Sequence, residues 1–377
     1  MNDKQYTLEE IKSIFPKTDF SWIQSVNFIL KKLPKQWRFV GGCVRDSLLG
    51  IQTFDIDVNT LSSPEEIEKS MTGFNLNIIG KRFGTIGIFY KKWNIEITTT
   101  REDIVTYGRK ADVQFITDFK TDSNRRDFTI NALMLEKNII YDYHNGVKDL
   151  QNKQIIFIGN AVKRIEEDYL RIMRYIRFLT RFGNISNYKN YEEVIINNLE
   201  GMKLLSKERI INEIYAMCKY PNTSNGIKIL NELLISKTTL GNNLYEEISD
   251  QWHMDKKMAF IFINFNKLNW KKLPLPKKAK EFLLAYDCKY VDYKQNYSFI
   301  WNKFHCLKMA NLFLDIYNIL HKTNHIINVE DTFQCDYEIL NNFIDTEKSK
   351  AMLAMRYLYL EKLVINFDNV KSLVGKL

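Results

Sequence analysis

The sequence of 377 residues is poor in the residues that break or cross-link a chain. It holds 6 prolines, 15 glycines and five cysteines, and the cysteines are scattered with no Cys-x-x-Cys pair. An odd, scattered set of cysteines predicts neither a disulfide framework nor a zinc site, and it fits a reducing compartment. The longest apolar runs, such as AFIFI at 259–263, are far too short to span a bilayer. We therefore expect no membrane segment.

Targeting signals are also missing from the first residues. In MNDKQYTLEEIKSIF an acidic pair interrupts the apolar residues, and the stretch is not rich in arginine and serine. The sequence therefore predicts a cytoplasmic protein. Its net charge of +9 and isoelectric point near 9.0 favour a polyanionic partner, although moderate basicity does not identify one.

The turn-forming residues concentrate in the first half of the chain. Nine of the glycines lie between Gly41 and Gly146, among short strand-like segments such as FDIDVNT, GTIGIFY and NIEITTT. Helical stretches interrupt them at 44–49 and at 64–71, the second with Ser63 as a candidate N-cap. Beyond residue 150 the strand patterns fade and helical patterns continue to the C-terminus. The sequence therefore predicts an α+β fold, with a mixed-sheet module up to about residue 150 and an all-helical part after it.

One helical pattern is especially regular. Five large apolar residues recur at spacings of four, three, four and three, which predicts one amphipathic helix. These residues are Ile165, Tyr169, Ile172, Ile176 and Leu179.

Two aspartates stand out inside the strand-like segment FDIDV. Residues two apart in a strand share a face, so Asp55 and Asp57 should project together while their neighbours pack inward. Two adjacent carboxylates repel each other unless a cation lies between them, and Mg²⁺ prefers such oxygen ligands. Glu96, another single acid in a strand-like segment, could join them for two-metal displacement at phosphorus.

The residues just before this strand suit a triphosphate. Gly41 and Gly42 precede a short helix, where backbone N–H groups can approach phosphate, and Arg45 follows one turn later. Two simpler interpretations compete. The acids could be incidental on a solvated strand, or the segment could be a calcium-binding EF-hand loop, although Thr60 stands where that loop needs glycine.

Together with four other motifs, this stretch resembles a known family. GGCVRDSLLGIQTFDIDVNT is similar to the head signature of class II nucleotidyltransferases, which are the tRNA CCA-adding enzymes and bacterial poly(A) polymerases. RRDFTINAL, DYHNGVKDL, EDYLRIMRYIRF and SKERIINEI follow in the family's order, so that the resemblance covers about residues 35–216.

The resemblance implies a polymerase β-like head at 1–150, a helical neck that selects the nucleotide at 151–220, and an RNA-binding body and tail at 221–377. It assigns Mg²⁺ to Asp55 and Asp57 and the triphosphate to Gly42 and Arg45. It also gives contacts with the ribose or phosphates to three residues of the second motif, Arg126, Asp127 and Asn131. Whether Arg125 or Arg126 is the main contact stays open.

The motif EDYLRIMRYIRF can also be interpreted chemically. Cytosine and adenine present an amino donor beside a ring-nitrogen acceptor, which a carboxylate and a guanidinium can match. Asp168 and Arg171 could therefore accept C and A and reject U and G, and the resemblance assigns them this role. The simplest alternative is an ordinary ion pair at i,i+3. Arg174 and Arg177 could serve phosphate or base.

Two segments bear on which member of the family the chain resembles most. REDIVTYGRKADVQFITDFK at 101–120 resembles the flexible head loop of full CCA-adding enzymes, which use tRNA, CTP and ATP. Lysines alternate with aromatic residues at 270–308, which suits RNA binding or a basic solvated helix surface. A poly(A) polymerase, a partial CC- or A-adding enzyme, and a non-catalytic RNA-binding protein remain as alternatives. The sequence gives no protein partner.

Overall fold

The structure, a computed structural model, describes residues 3–107 and 110–241. Beyond them it describes only residues 243–244, 248–249, 251, 254, 257–258, 261, 273–277, 279–280, 368 and 371–372. The chain divides into two compact units, 1–243 and 244–377. Most of the lysine- and aromatic-rich segment lies outside the described residues. The division predicted at residues 150 and 220 stays a prediction.

A mixed sheet of eight strands forms the centre of the first unit, as the sequence predicted. Its order is β1-β10-β9-β2-β3-β6-β5-β4, and only the β3–β6 pair is parallel among these described strands. The strands are β1 Lys4–Thr7, β2 Trp37–Val40, β3 Asp55–Thr60, β4 Leu76–Asn77, β5 Thr85–Tyr90, β6 Trp93–Thr99, β9 Met134–Glu136 and β10 Ile139–Asp142; β7 Arg101–Tyr107 and β8 Lys110–Phe115 form a separate hairpin.

The central strands alternate between a buried and an open face. The side chains of Ile56, Ile97 and Ile86, on three adjacent strands, are fully buried. The alternate residues of the same strands are exposed or half-buried near the N-terminal end of β3. This period of two is the signal that predicted the strands, because one face of the sheet packs on the core.

Helices surround the sheet and make up the described chain from residue 161 to residue 240. They are α1 Leu8–Ile14, α2 Ile23–Leu30, α3 Gly42–Leu48, α4 Pro64–Ser70, α5 Phe119–Asn124, α6 Gly146–Gln151, α7 Ala161–Glu167, α8 Leu170–Phe182, α9 Glu192–Asn197, α10 Leu199–Met202, α11 Lys207–Cys218, α12 Thr223–Glu232 and α13 Ile235–Leu240. Ser63 caps α4 in a capping box with Glu66, so the predicted N-cap is confirmed. No helix in this described part is long and apolar enough to cross a membrane.

The motif EDYLRIMRYIRF does not form one helix, so that prediction is wrong. Helix α7 ends at Glu167, Asp168 is extended with φ −156°, and α8 begins at Leu170. The Asp168 carboxylate accepts a hydrogen bond from the Leu170 N–H at 3.2 Å. An aspartate that binds a backbone N–H two residues on competes with helix continuation. The apolar stripe is nevertheless buried, except that Tyr169 is half-buried.

An aromatic cluster joins the helices after residue 150 to the sheet module. The ring centroid of Phe128 lies 4.8 Å from that of Phe157 and 5.5 Å from that of Phe178. Phe157 in turn stacks on Tyr175 of α8 at 5.6 Å. Rings at these separations add stabilisation beyond the area that they bury. The first unit therefore packs the head motif RRDFTINAL directly against α8.

Candidate active site

The two aspartates of β3 share the open face of the sheet, as predicted. The parallel register sets Asp57 beside Glu96 and Asp55 beside Asn94, whose amide donates to the Asp55 carboxylate at 3.3 Å. The i,i+2 spacing places Asp55 and Asp57 on one face of the sheet, and the register with β6 adds Glu96 to the same face. Within the described residues, no group of three or more His, Cys, Asp or Glu side chains is arranged to hold a metal ion. The Asp55–Asp57 pair is thus the candidate metal-binding element.

The ionisation of these acids reflects their crowding. Burial raises the pKa of Asp57, and the nearby Asp55 raises it further, while Arg126 and Arg45 lower it. Partial desolvation and the carboxylates of Asp57 and Asp55 raise the pKa of Glu96. A divalent cation bound beside Asp57 and Glu96 would favour the ionised form of both carboxylates and offset this effect.

Asp57 lies at one end of a cavity of about 440 Å³ between the head and helix α8. Six arginines and three aspartates line this cavity, so it carries an excess of positive charge that suits a triphosphate. Eleven of the thirteen predicted site residues belong to the lining: Gly41, Gly42, Arg45, Asp57, Arg126, Asp127, Asn131, Asp168, Arg171, Arg174 and Arg177. Asp55 and Glu96 lie outside it, on the open face.

Gly41 needs to be glycine at the turn between β2 and α3. Its φ is +73°, and a Cβ there would lie 3.3 Å from the Arg126 guanidinium and 3.7 Å from the Asp57 carboxylate. The turn holds Arg45 inside the cavity wall, where its guanidinium donates to Asp46 at 2.7 Å and to Asn131. A side chain at this position would be strained by the positive φ and would crowd the cavity wall.

The two adjacent arginines of RRDFTINAL have different surroundings. Arg125 donates to the buried Asp122 at 2.9 Å and is not part of the cavity lining. Arg126 lines the cavity and donates to Asn59 at 3.2 Å. Burial would raise the pKa of Asp122, but Arg125 and Arg126 beside it lower that pKa. The position of Arg126 therefore favours it as the nucleotide contact.

Asp127 joins the head to helix α8. Its carboxylate accepts from the Asn131 amide at 2.9 Å and from the Arg174 guanidinium at 2.7 Å. Burial by itself would raise the pKa of Asp127, but Arg174 and these hydrogen bonds lower it to about 2. The residue is therefore a permanent anion in the cavity wall.

Asp168 and Arg171 both reach the cavity, but they do not pair with each other. The Asp168 carboxylate accepts from the Arg209 guanidinium at 2.7 Å. Arg171 instead donates to the carbonyl of Arg164 at 2.7 Å and forms its ion pair with Glu167. The alternative of an i,i+3 ion pair is therefore wrong. Each group of the proposed selector is held by a partner on the protein.

The sequence interpretation missed three residues of the lining, Leu170, Phe178 and Arg209. Arg209 belongs to the motif SKERIINEI, on α11, which gave a signal but no assigned role. The same helix supplies Glu213, whose carboxylate accepts from Arg177 at 2.5 Å. Helix α11 therefore binds both Asp168, just before α8, and Arg177 on α8.

Comparisons with known proteins agree with this geometry. Residues 37–156 match the poly A polymerase head domain family, a match that implies dependence on a divalent metal ion. Over 230 residues the chain is 35% identical to the mouse mitochondrial CCA tRNA nucleotidyltransferase 1, covering 59% of this chain and 52% of the relative. Over 190 residues it is 40% identical to the CCA-adding enzyme of Staphylococcus haemolyticus, covering 49% and 46%. The chain thus spans about half the length of these relatives.

Solved structures share the fold. The Bacillus stearothermophilus CCA-adding enzyme in complex with CTP matches with a TM-score of 0.62 and 23% identity, covering 81% of this chain and 80% of that one. The Thermotoga maritima CCA-adding enzyme complexed with tRNA matches with a TM-score of 0.59 and 16% identity over the whole of both chains. These likenesses confirm the predicted α+β architecture. Residues 37–156 therefore resemble the poly A polymerase head domain, and the resemblance of the chain to class II tRNA nucleotidyltransferases and bacterial poly(A) polymerases is confirmed.

Proposed function

We propose that the chain is a template-independent CCA-adding tRNA nucleotidyltransferase that adds C, C and A from CTP and ATP to the tRNA 3′ end. The observation that carries this proposal is the shared cavity. It joins an arginine-rich triphosphate surface, Asp57 of the paired acids of β3, and the Asp168 and Arg171 side chains that can match a nucleobase. The curated relatives named as CCA-adding enzymes support the same activity.

The reaction transfers one nucleotidyl group. The 3′-hydroxyl oxygen of the RNA bonds to the α-phosphorus, the bond from that phosphorus to the bridging oxygen breaks, and pyrophosphate leaves. The hydroxyl proton passes to solvent. Gly42, Arg45 and Arg126 hold and neutralise the triphosphate, while Asn131 and Asp127 fix the position of Arg45 and of α8. Charge stabilisation and positioning supply most of the acceleration.

Asp55 and Asp57 are the residues that would hold Mg²⁺, with Glu96 beside them. The donor set fits, because two aligned carboxylates leave coordination positions for nucleotide phosphates. When bound, the metal lowers the pKa of the attacking hydroxyl and neutralises the leaving pyrophosphate.

The selector would work by exchange of partners. The Asp168 carboxylate would accept from the amino group of cytosine or adenine, and Arg171 would donate to the neighbouring ring nitrogen. In the structure Arg209 and Glu167 occupy those same groups. A correct base can replace these contacts, whereas uracil or guanine would set acceptor against acceptor and donor against donor.

A poly(A) polymerase is the second candidate, since the matching head family carries that description. A partial CC- or A-adding enzyme would use the same cavity. The tRNA-binding role of residues 221–377 and the cytoplasmic location remain parts of the proposal.

The test is nucleotide addition by the purified full chain to a tRNA transcript that ends at the discriminator base. Each NTP is supplied alone with Mg²⁺, then CTP and ATP together, and products are resolved to one nucleotide. Growth by three that needs both CTP and ATP supports the proposal. A long ladder from ATP alone would identify a poly(A) polymerase, and no growth on any RNA would exclude nucleotide addition.

A further inference from the structure

The open face of the sheet continues beyond the three acids onto β6 and β5. The register places Asp55, Asn94 and Phe89 in one row across three strands. Neighbouring strands lie about 4.8 Å apart, so Phe89 stands roughly 10 Å from Asp55 along the same face. On the inward face of these strands the large apolar side chains are buried, whereas Phe89 is 67% exposed.

An exposed phenylalanine on a strand beside the acids needs an explanation. The end strand β4 pairs with β5 only at Ile88 and Gly87, so Phe89 lies one residue beyond the paired stretch. The next residue on the same face is Gly87, opposite Glu96. A Cβ at Gly87 would lie 3.4 Å from the Asn77 Cβ and 3.8 Å from the Asn77 carbonyl oxygen, both ordinary contacts, so the fold does not require glycine there. Gly87 therefore leaves the surface between Phe89 and Glu96 free of a side chain, although the packing there would allow one.

The direction of the reaction assigns this surface to the acceptor. The triphosphate cavity lies on the β2 and α3 side of Asp57, through Gly41 and Gly42. In nucleotidyl transfer the attacking and leaving oxygens are roughly in line on opposite sides of phosphorus. The attacking 3′-hydroxyl therefore arrives from the other side of the acids, over β6 and β5.

The charge beyond Phe89 suits a nucleic-acid backbone. The tight turn from β5 to β6 consists of Lys91 and Lys92, both of which are exposed. The Lys92 ammonium lies 4.9 Å from the Trp93 ring centroid and 5.2 Å from that of Phe54, two rings on the inward side of the strands, and the Lys91 ammonium lies 5.4 Å from the Tyr90 ring centroid. From the acids outward, the face thus presents a carboxylate pair and an aromatic ring, and the lysine turn follows at the end of the two strands.

We propose that Phe89 is the stacking platform for the terminal nucleobase of the RNA acceptor, and that Lys91 and Lys92 bind the phosphates upstream of it. The order matches the acceptor, with its 3′-hydroxyl at the acids, its last base on Phe89 and its backbone leaving over the lysine turn. Stacking on one aromatic ring does not read the base, so the platform accepts C, A or any discriminator base. This inference rests on the proposed function.

The test compares the full-length chain with Phe89→Ala, Phe89→Trp and the control Phe28→Ala, which removes a 46% exposed ring on α2. Thermal unfolding first verifies that each variant is folded. Phe89→Ala should raise the acceptor KM about tenfold or more and leave the KM for CTP within about twofold. Phe89→Trp should restore the acceptor KM, and Phe28→Ala should not change it.

A spectroscopic arm detects the stack directly. A tRNA transcript with 2-aminopurine at its last position should lose fluorescence on binding the wild-type chain and Phe89→Trp, but not on binding Phe89→Ala. Lys91→Gln should lower the salt dependence of acceptor binding, by roughly 0.7 in the log–log slope. An unchanged acceptor KM in Phe89→Ala, with normal extension by the wild type, would overturn the platform alone. A wild-type chain that extends no RNA would remove the proposed function and the platform together.

Discussion

The carboxylates of β3 and the selector groups of α7 and α8 differ in how they are partnered. Asp55 and Asp57 lie side by side, and burial and mutual repulsion raise the pKa of Asp57. Asp168 and Arg171 are instead engaged by Arg209 and Glu167. Ionisation is therefore disfavoured at Asp57, whereas the charged groups of Asp168 and Arg171 already have partners on the protein. In the proposed function, a cation would offset the first cost and a base would replace the second set of partners.

The largest loss of activity is expected from replacing Asp55 and Asp57. Replacing both aspartates, Asp55→Ala with Asp57→Ala, should lower single-turnover nucleotide addition by about a thousandfold or more, because the charge of the leaving group is no longer balanced. Nucleotide binding to the arginine-rich cavity should persist without metal. The matched control is Glu193→Gln, an exposed acid on α9. Near-normal addition by the double variant would revive the non-catalytic alternative.

Replacing Asp168 should change the preference between nucleotides more than it changes the rate of addition. Asp168→Ala should reduce the preference for CTP over UTP about a hundredfold, because the pocket no longer offers uracil an unmatched acceptor. The measurement is the ratio of kcat/KM for the two nucleotides in single additions. A variant with unchanged preference but lower kcat would show that Asp168 supports the structure and does not read the base.

The contact between Asp127 of the head and Arg174 of α8 should make the free energy of unfolding depend on pH in the acid range. The pKa of Asp127 is about 2 in the folded chain against an ordinary value of 3.8, so its stabilising contribution is present above about pH 3.8 and is lost as pH falls toward 2. Arg174→Gln should therefore cost about 2 kcal/mol of unfolding free energy at pH 5 and less at pH 3. Arg82→Gln, an exposed guanidinium, is the control. A loss of stability that does not change with pH would argue against the Arg174–Asp127 contact.

The smallest effect is expected from replacing Arg209, which holds the Asp168 carboxylate until a base would replace it. Arg209→Gln should leave the Asp168 carboxylate less well oriented and lower discrimination against UTP about tenfold, an effect the size of one charge-assisted hydrogen bond. The rate with CTP should fall less than in the aspartate variants of β3. If discrimination instead equals that of Asp168→Ala, Arg209 reads the base itself.

The sequence predicted the head more completely than the selector, for physical reasons. The period of two in FDIDV and NIEIT sets side-chain direction locally, so the shared face of Asp55 and Asp57 needed no tertiary information. The period in EDYLRIMRYIRF continues through Asp168, because the two helices bury the same stripe, and so it hid the break between them. The ion pair from Arg209 to Asp168 spans 41 positions between helices, and no local pattern reports it. The choice between Arg125 and Arg126 likewise depended on which side chain the fold turned toward the cavity.

The join at Asp127 and the aromatic cluster also bears on how such chains can be recombined. Phe128 packs on α8 while its neighbour Asp127 binds Arg174, so residues on both sides of position 150 form one interface. A chimera that takes its head from one relative and its helices from another would have to inherit matched residues from both parents. The head and helix α8 are therefore poor units for exchange, and related chains should differ by coordinated replacements across this interface.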